Sequence, residues 1–279
     1  MISVKMIGRL GNHMWQYAVC RTLAEQNNYE FHIPRSFLGA EIFSCSLGVE
    51  QELVNQEYYD YFKNKSFMAQ FYNPEILHLQ DFTRLVGYFQ SERYIIDNKK
   101  NIQEWFKLRQ ENVRLINELN LANEVCVIHF RGGDYKKILD VYLRLEYWQY
   151  SIAEMKKLHG EIEFIVVTDD VEAAHTIFPD FSIYSSTVSD DFYIISQAKY
   201  LILSNSTFSW WGAWLNQKCK TVIAPKYWMQ HNQSEGWWAP GESITKGFNY
   251  ICRNGRLFSS KECIDEFNSL GFGYSDFPY

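Results

Sequence analysis

The sequence predicts an α/β protein of two domains, each with a parallel sheet covered by helices. Short apolar, β-branched runs alternate with helical stretches along much of the chain, as in doubly wound sheets. The length of 279 residues is enough for two medium-sized domains. Glycines and polar residues follow four of the predicted strands, where ligands of such sheets bind. We therefore expect domains 1–122 and 123–279 to face each other across a ligand cleft.

The N-terminal domain opens with a predicted βαβ unit. Residues 2–7 alternate as a strand does, and a glycine turn follows. Asn12 is a suitable N-cap for a helix that continues to about residue 26. A second strand is expected at residues 29–33, before Pro34. Residues 40–100 have poor periodicity and predict short helices and loops, and residues 101–121 predict a polar helix before a boundary near residues 120–124.

The C-terminal domain shows the alternation more clearly. Strands are predicted at residues 126–130, 163–168, 181–186, 200–204 and 221–228, the last of these being the final strand of the chain. Helices are predicted at residues 146–158, 171–178, 190–198 and 260–270, and another begins in the segment SNSTFSWWGAWL. This order implies right-handed crossovers within one mostly parallel sheet.

Composition excludes several classes of protein. The net charge of −6 argues against a general nucleic-acid or anionic-membrane surface. No apolar run approaches the roughly 18 residues of a membrane span, and the N-terminus lacks the apolar stretch of a signal peptide. Six scattered cysteines show neither C-x-x-C pairs nor zinc-like spacing. We expect reduced thiols, a cytoplasmic location and at most peripheral contact with a membrane.

Two strand-end loops have glycines beside an arginine. In the first, Arg9, Gly11 and Asn12 follow the opening strand; backbone amides there can approach an oxyanion, or the loop is an ordinary βα turn. It lacks the third glycine of G-x-G-x-x-G and the G-K-[ST] of a P-loop. The second loop, HFRGGDY, places Arg131 just after a buried strand, which suits phosphate binding or a surface pair with Asp134.

The other two loops offer carboxylates and hydroxyls. Asp169 and Asp170 can bind a metal, accept hydrogen bonds from ribose hydroxyls, or cap the next helix. The fourth loop can form an oxyanion cradle at a helix N-terminus with the side chains of Ser204, Asn205, Ser206 and Thr207. Its N-S-T triplet also matches a glycosylation acceptor, which we discount without a secretion signal.

Five segments together resemble one known family. GRLGNHMWQYA, LVGYFQSERY, VIHFRGGDY, VVTDD and SNSTFSWWGAWLN are similar, in the same order, to segments of the bacterial α-1,2-fucosyltransferases. The similarity runs from residue 8 to about residue 225. It implies a GT-B fold, GDP-fucose as donor, inversion at the anomeric carbon, a glycan acceptor, and no metal or other cofactor.

The resemblance also implies roles for individual residues. Arg131 matches the arginine that grips the donor pyrophosphate, and Ser206 and Thr207 match the phosphate-binding hydroxyls. Gly11 and Asn12 match the loop over the donor. Asp191 stands five residues before Ser196, which resembles the position of the guanine-reading aspartate in the wider superfamily of GDP-fucose-dependent fucosyltransferases. Asp190 is then the expected helix cap. We assign the remaining donor contacts to Arg9, His129, Asp169, Asp170, Ser204 and Asn205.

The sequence departs from the family pattern at several positions. Gly132 replaces a second arginine, Arg9 replaces a glycine, and His13 replaces a glutamine. Arg9 could compensate for Gly132, or the chain could be a divergent branch with another acceptor or linkage, or an inactive relative.

The expected chemistry is electrostatic stabilisation of the leaving GDP, mainly by Arg131. Four residues are candidates for the base that activates the acceptor hydroxyl: His129, Asp134, Asp140 and Glu146. Two other functions are weaker alternatives. A nicotinamide oxidoreductase needs a complete glycine fingerprint, and a sugar-binding module has no need for the arginine and hydroxyl loops.

Overall fold

The computed structural model describes residues 1–60, 72–112, 124–232 and 243–270. Their contacts divide the chain into two units, Met1–Gln110 and Glu111–Phe272. The boundary predicted at residues 122 and 123 falls within residues 113–123, outside the described part, and stays a prediction.

The first unit contains a four-stranded parallel sheet in the order β2-β1-β4-β3. Its strands are β1 (Ile2–Val4), β2 (Phe31–His32), β3 (Gln56–Tyr59) and β4 (Thr83–Val86). Helices α1 (Leu10–Gln26) and α2 (Lys99–Trp105) belong to the same unit. The βαβ opening is as predicted, but the prediction that residues 40–100 lack strands is wrong.

The second unit contains a seven-stranded sheet in the order β11-β10-β9-β8-β5-β6-β7, in which only β11 is antiparallel among the described strands. The strands are β5 (Val125–Phe130), β6 (Glu163–Thr168), β7 (Ser182–Tyr184), β8 (Tyr200–Ile202), β9 (Thr221–Pro225), β10 (Asn249–Ile251) and β11 (Leu257–Ser259). The helices are α3 (Leu145–His159), α4 (Val171–Ile177), α5 (Val188–Gln197), α6 (Thr207–Leu215) and α7 (Ser260–Ser269).

Strand β5 lies in the centre of this second sheet, and every one of its residues is buried. Strands that are covered on both faces have continuous apolar sequences, which explains why the segment VCVI predicted a strand correctly. On one face, Phe130 meets Trp148 and Phe178 edge to face, with ring centroids 5.6 and 5.7 Å apart. This packing fixes the end of β5, from which the arginine loop departs.

Three details of the predicted elements need correction. Helix α1 begins at Leu10 with Arg9 in the N-cap position, so Asn12 lies inside the first turn. Thr221–Pro225 is not the last strand, because β10 and β11 follow it. The N-cap of α5 is Thr187, whose side chain accepts from the Asp190 amide, so neither aspartate caps that helix.

Candidate active site

The Arg131 guanidinium lies immediately beyond the buried end of β5 and is held by two carboxylates. Its Nη2 donates to Asp134 Oδ1 at 2.7 Å, and its Nη1 pairs with Asp169 Oδ2. Asp169 follows β6, the neighbour of β5, and its Oδ1 also accepts from the Gly132 amide at 3.0 Å. The paired strand ends therefore orient the arginine before any ligand arrives.

Asp170 makes a second set of contacts with the same loop. It is the N-cap of α4, with its Oδ1 3.2 Å from the Ala173 amide, and its Oδ2 lies 2.7 Å from Lys136 Nζ. The Lys136 partner lowers the pKa of Asp170, so this carboxyl is ionised at neutral pH. One aspartate of the pair thus holds Arg131 and the other holds Lys136.

Two glycines make this close approach possible. A Cβ on Gly132 would lie 2.6 Å from Asp170 Cβ and 2.9 Å from Phe130 Cε1. A Cβ on Gly133 would lie 2.3 Å from Asp169 Oδ2. The glycine that replaces the resembled family's second arginine therefore gives the β6 aspartates room to pack on the loop.

His129 connects two loops: the arginine loop, residues 131–135, and the hydroxyl loop, residues 204–207, which follows β8. Its Nδ1 lies 2.9 Å from Ser204 Oγ, and the Ser204 amide donates to the His129 carbonyl at 3.1 Å. Burial, with a smaller contribution from the Arg131 charge, lowers the pKa of His129 to about 3. The imidazole is therefore neutral at physiological pH and is a weak proton acceptor.

The hydroxyl loop leads directly into α6. Ser206 is the N-cap of this nine-residue helix, and its side chain makes no capping hydrogen bond. Asn205 is buried, and its amide donates to the carbonyls of Val141 (2.8 Å) and Trp228 (2.7 Å). Asn205 thus anchors the loop, and Ser206 and Thr207 lie at the helix N-terminus, where anions bind favourably.

The tryptophans behind this loop belong to the core. Trp210, Trp211 and Trp214 are buried, and Trp210 Nε1 donates to Thr245 Oγ1 at 2.7 Å. They support α6 and do not form a surface platform for sugars.

Asp190 and Asp191 differ sharply in their surroundings at the start of α5. Asp190 is fully buried, and its Oδ2 accepts from the hydroxyls of Ser186 and Thr187, each at 2.8 Å. Asp191 is partly exposed, and its Oδ1 accepts from the Ser186 amide at 3.2 Å. Burial of the carboxyl, reinforced by the charges of Asp190 and Asp169, raises the pKa of Asp191 to about 7.

The predicted site residues of the first unit lie at the start of α1. Gly8 has a φ of 88°, and a Cβ there would lie 2.3 Å from Asn12 Nδ2. Asn12 Oδ1 accepts from Gln90 Nε2 at 2.9 Å, which joins the GRLGN loop to the GYFQS segment. Arg9 is exposed at the N-cap, and Gly11 is buried.

Some residues that contact these loops were assigned no role from the sequence. Lys136 belongs to the Lys-Lys pair that follows the arginine loop, and its charge was the only available signal. Gln16, Asp60 and Gln90 are distant from each other in sequence, and no spacing rule connects them.

No metal centre is evident in the described ranges. There, no three His, Cys, Asp or Glu side chains are grouped so that they could hold a metal ion. All six cysteines lie in these ranges as free thiols. None of the helices described is both long and apolar enough to cross a membrane.

The fold is that of the GT-B class of glycosyltransferases. The structure is similar to the fucosyltransferase NodZ from Bradyrhizobium, with a TM-score of 0.52 and 12% identity, covering 80% of this chain and 94% of that chain. It is also similar to POFUT1 in complex with GDP, with a TM-score of 0.51 and 11% identity, covering 80% and 97%. The model of the family Glycosyl transferase family 11 matches residues 1–251. The chain therefore belongs to glycosyl transferase family 11 and is a glycosyltransferase.

Two relatives from Escherichia coli are similar in sequence. The O-antigen biosynthesis glycosyltransferase WbnK is 30% identical over 169 residues, which cover 53% of this chain and 56% of WbnK. The chain thus matches little more than half the length of that relative. An alpha-1,2-colitosyltransferase is 26% identical over 276 residues, covering 83% of this chain and 93% of that protein.

Proposed function

We propose that this protein transfers L-fucose from GDP-fucose to a hydroxyl of a glycan acceptor, with inversion and in α-1,2 linkage to a galactoside. The observation that carries the proposal is the Arg131 guanidinium, fixed between Asp134 and Asp169 just beyond the carboxyl end of β5. Family membership and the similarity to an alpha-1,2-colitosyltransferase support the reaction class.

The second unit has the groups that a nucleoside diphosphate leaving group requires. As the glycosidic bond breaks, negative charge grows on the pyrophosphate, and a preorganised guanidinium stabilises that charge without reorganisation. Asp134 and Asp169 supply the orientation. Ser206, Thr207 and the first amides of α6 provide neutral donors for the same phosphates.

A neutral His129 suits a positioning role better than a role as base. Its hydrogen bond with Ser204 aligns the hydroxyl loop with the arginine loop. Its pKa of about 3 makes it a poor base for removing the proton from the hydroxyl of the glycan acceptor. Asp134 is committed to Arg131, while Asp140 and Glu146 are exposed. The base therefore stays unassigned among the four candidates.

Guanine recognition is assigned to Asp191. Its carboxylate can accept the two adjacent donors of guanine, N1–H and the exocyclic amine, whereas adenine presents an acceptor at the first position. Asp190 is fully engaged with Ser186 and Thr187 and has a structural role.

Metal independence and a cytoplasmic location are part of the proposal. Asp169 and Asp170 already bind Arg131, the Gly132 amide and Lys136, and this arrangement supplies cations where a metal-dependent enzyme would place its ion.

The proposed cytoplasmic location rests on the six cysteines, which show no pairing pattern in the sequence.

A second candidate is transfer of a colitosyl group. The observation that favours it is the alpha-1,2-colitosyltransferase, which aligns over 83% of this chain. The protein groups that stabilise the leaving nucleotide would be the same in both reactions, and only the contacts with the sugar ring would differ.

The test is a screen of the purified protein with GDP-fucose and with nucleotide-activated colitose against galactoside acceptors, with the product linkage determined by NMR. We expect an α-1,2-fucosylated product. Transfer of colitose alone would select the second candidate. GDP binding without transfer to any acceptor would identify an inactive relative.

A further inference from the structure

The first unit contains a carboxyl group that the chemistry described above does not use. Asp60 directly follows β3, at the carboxyl end of the first sheet, and its amide donates to the Val86 carbonyl at the end of β4. The amides of Tyr88 and Phe89 both donate to the Asp60 carboxylate. Two consecutive backbone amides directed at one carboxylate form an anion-binding nest, which is filled here by the protein's own side chain.

The backbone around this nest is unusual for its sequence. Gly87 has a φ of 154°, and a Cβ there would lie 2.3 Å from Asp60 Cβ. Phe89 has a φ of 55°, in the left-handed region that a bulky residue rarely adopts, although its ring is fully buried. Such a conformation persists only where its surroundings hold it, and here the Asp60 carboxylate accepts from the Phe89 amide.

Two glutamines connect this segment, the 87–90 loop, with the GRLGN loop at residues 8–12 (the glycine loop). Gln16 is fully buried in α1; its Nε2 donates to the carbonyls of Gly87 (2.8 Å) and Ile7 (3.1 Å), and its Oε1 accepts from the Ile7 amide at 3.0 Å. Gln90, at the other end of the 87–90 loop, donates to Asn12 Oδ1 at 2.9 Å. A displacement of the loop must therefore reach Asn12.

We propose that Asp60 is a positioning residue, whose carboxylate holds the 87–90 loop so that Gln90 fixes Asn12 in the glycine loop. The kinetic part of this proposal rests on the proposed function and on the expectation, from the family resemblance of the GRLGN loop, that Asn12 contacts the donor. Asp60 makes no contact with substrate and acts through Gln90 and Asn12.

A charged acceptor suits this task better than a neutral one. An ionised carboxylate accepts both amides, whereas a protonated carboxyl or an asparagine offers one good acceptor oxygen. Although Asp60 is partly exposed as a residue, burial of its carboxyl raises its pKa to about 7, and the two amide donors oppose that rise. Among the described residues, the groups that favour the ionised form of Asp60 are these two backbone amides rather than charged side chains.

The test compares the wild type with Asp60→Asn, Gln90→Leu and the control Asp97→Asn, which removes an exposed carboxylate from the same unit. Hydrogen exchange reports on the loops without any substrate. In Asp60→Asn, we expect roughly tenfold or faster exchange in the 87–90 loop and in residues 9–13, with the second unit unchanged. Gln90→Leu should loosen residues 9–13 while the Phe89 amide stays protected, and Asp97→Asn should match the wild type.

A spectroscopic signature separates positioning from general destabilisation. The amide proton shifts of Tyr88 and Phe89 should titrate near pH 7 in the wild type and stay flat in Asp60→Asn. Unchanged exchange in the 87–90 loop, or faster exchange spread evenly over both units, would overturn the proposal.

Kinetics then connects the network to the reaction. Asp60→Asn and Gln90→Leu should each raise the KM for GDP-fucose several-fold, with a smaller change in kcat. If both variants lost kcat while the KM for GDP-fucose stayed unchanged, a role of Asp60 through Asn12 would be contradicted. If the wild type transfers no fucose, the proposed function fails, while the exchange and titration experiments still decide whether Asp60 holds the loop.

Discussion

At the scale of single residues, Arg131 is the group on which the proposed reaction depends most. Its guanidinium is oriented by two carboxylates, so little reorganisation is needed when charge develops on the leaving group. We expect Arg131→Ala to lower kcat/KM by about 10²–10³, or ~2.7–4 kcal/mol of transition-state stabilisation. Arg131→Lys should recover little activity, because an ammonium cannot bond both carboxylates and the phosphate in the same plane.

Steady-state kinetics with GDP-fucose measures this loss. Arg144→Ala is the matched control, because it removes one exposed arginine from the same unit and should leave kcat/KM within about twofold. Near-normal transfer by Arg131→Ala would remove the arginine from the mechanism.

Asp191 gives a prediction about pH. The folded protein holds this carboxyl at a raised pKa of about 7, and guanine offers donors that favour the ionised form. GDP binding must then release a proton at any pH below about 7, so affinity should fall as pH falls through that value, by at most about tenfold per unit. ADP should show little of this dependence.

Calorimetry with both nucleotides between about pH 5.5 and 8.5 tests the assignment. In Asp191→Asn, GDP should bind more weakly at pH 8 by roughly 1.5–3 kcal/mol, and the pH dependence that GDP shows beyond that of ADP should disappear. Asp180→Asn, which alters an exposed carboxyl of the same unit, serves as the control. A GDP-over-ADP preference that survives Asp191→Asn would assign guanine recognition to another group.

The residues of the site were predictable to different degrees. The sequence indicated Arg131 because an arginine directly after a buried strand suits phosphate binding, and the structure places its guanidinium between Asp134 and Asp169, while its role in transfer stays a prediction. Asp60 could not, since its environment is created by the loop that folds over it from residues 87–90. The role of Asp190 was misjudged because a threonine three residues earlier provides the helix cap.

At the scale of elements, a continuous apolar run decided which strands of the second unit the sequence could reveal. Strands β5 and β6 are covered on both faces and have continuous apolar runs. Strand β3 has the sequence Gln-Glu-Tyr-Tyr, is mostly exposed and lies at the edge of its sheet, so its pattern resembled a loop. Short strands β10 and β11 were missed because pairing, rather than an apolar pattern, defines them.

The contact between the loops after β5 and β6 leads to a prediction about Gly132. A methyl group at this position would collide with Asp170 Cβ and the Phe130 ring, and Asp170 is held by α4 and by Lys136. Gly132→Ala should therefore lower the free energy of unfolding by about 1–3 kcal/mol, the usual cost of overpacking. Urea denaturation measures the change.

Gly133→Ala is the informative comparison for this contact. Its added methyl group would meet the carboxylate of Asp169, with Oδ2 at 2.3 Å and Cγ at 3.1 Å; this end of the side chain can move, but that movement breaks the bond between Asp169 and Arg131. We expect a smaller loss of stability than in Gly132→Ala together with a clear loss of kcat. Equal stability of all three proteins would mean that the loops pack less closely than described.

At the scale of the whole molecule, the charge distribution must accommodate an anionic donor in an acidic protein. The net charge is −6, so general electrostatic attraction cannot bring GDP-fucose to the site. Cations are instead placed locally: Arg131 and Lys136 extend from one loop and are each held by one of two consecutive aspartates. This arrangement makes binding depend on specific contacts rather than on the field of the protein.

The same arrangement predicts that transfer is independent of divalent cations. The chain lacks a D-x-D motif at its strand ends, and the two aspartates that a metal could use bind Arg131, Lys136 and the Gly132 amide. A metal would have to displace these partners before it could bridge the carboxylates and the pyrophosphate. The initial rate with GDP-fucose should therefore stay within about twofold when EDTA is added in excess. Added manganese should not stimulate the EDTA-treated enzyme, and Arg131→Ala should not be rescued by it. Loss of activity in EDTA that manganese restores would show that the leaving group is stabilised by a metal ion and that the aspartates exchange their protein partners during the reaction.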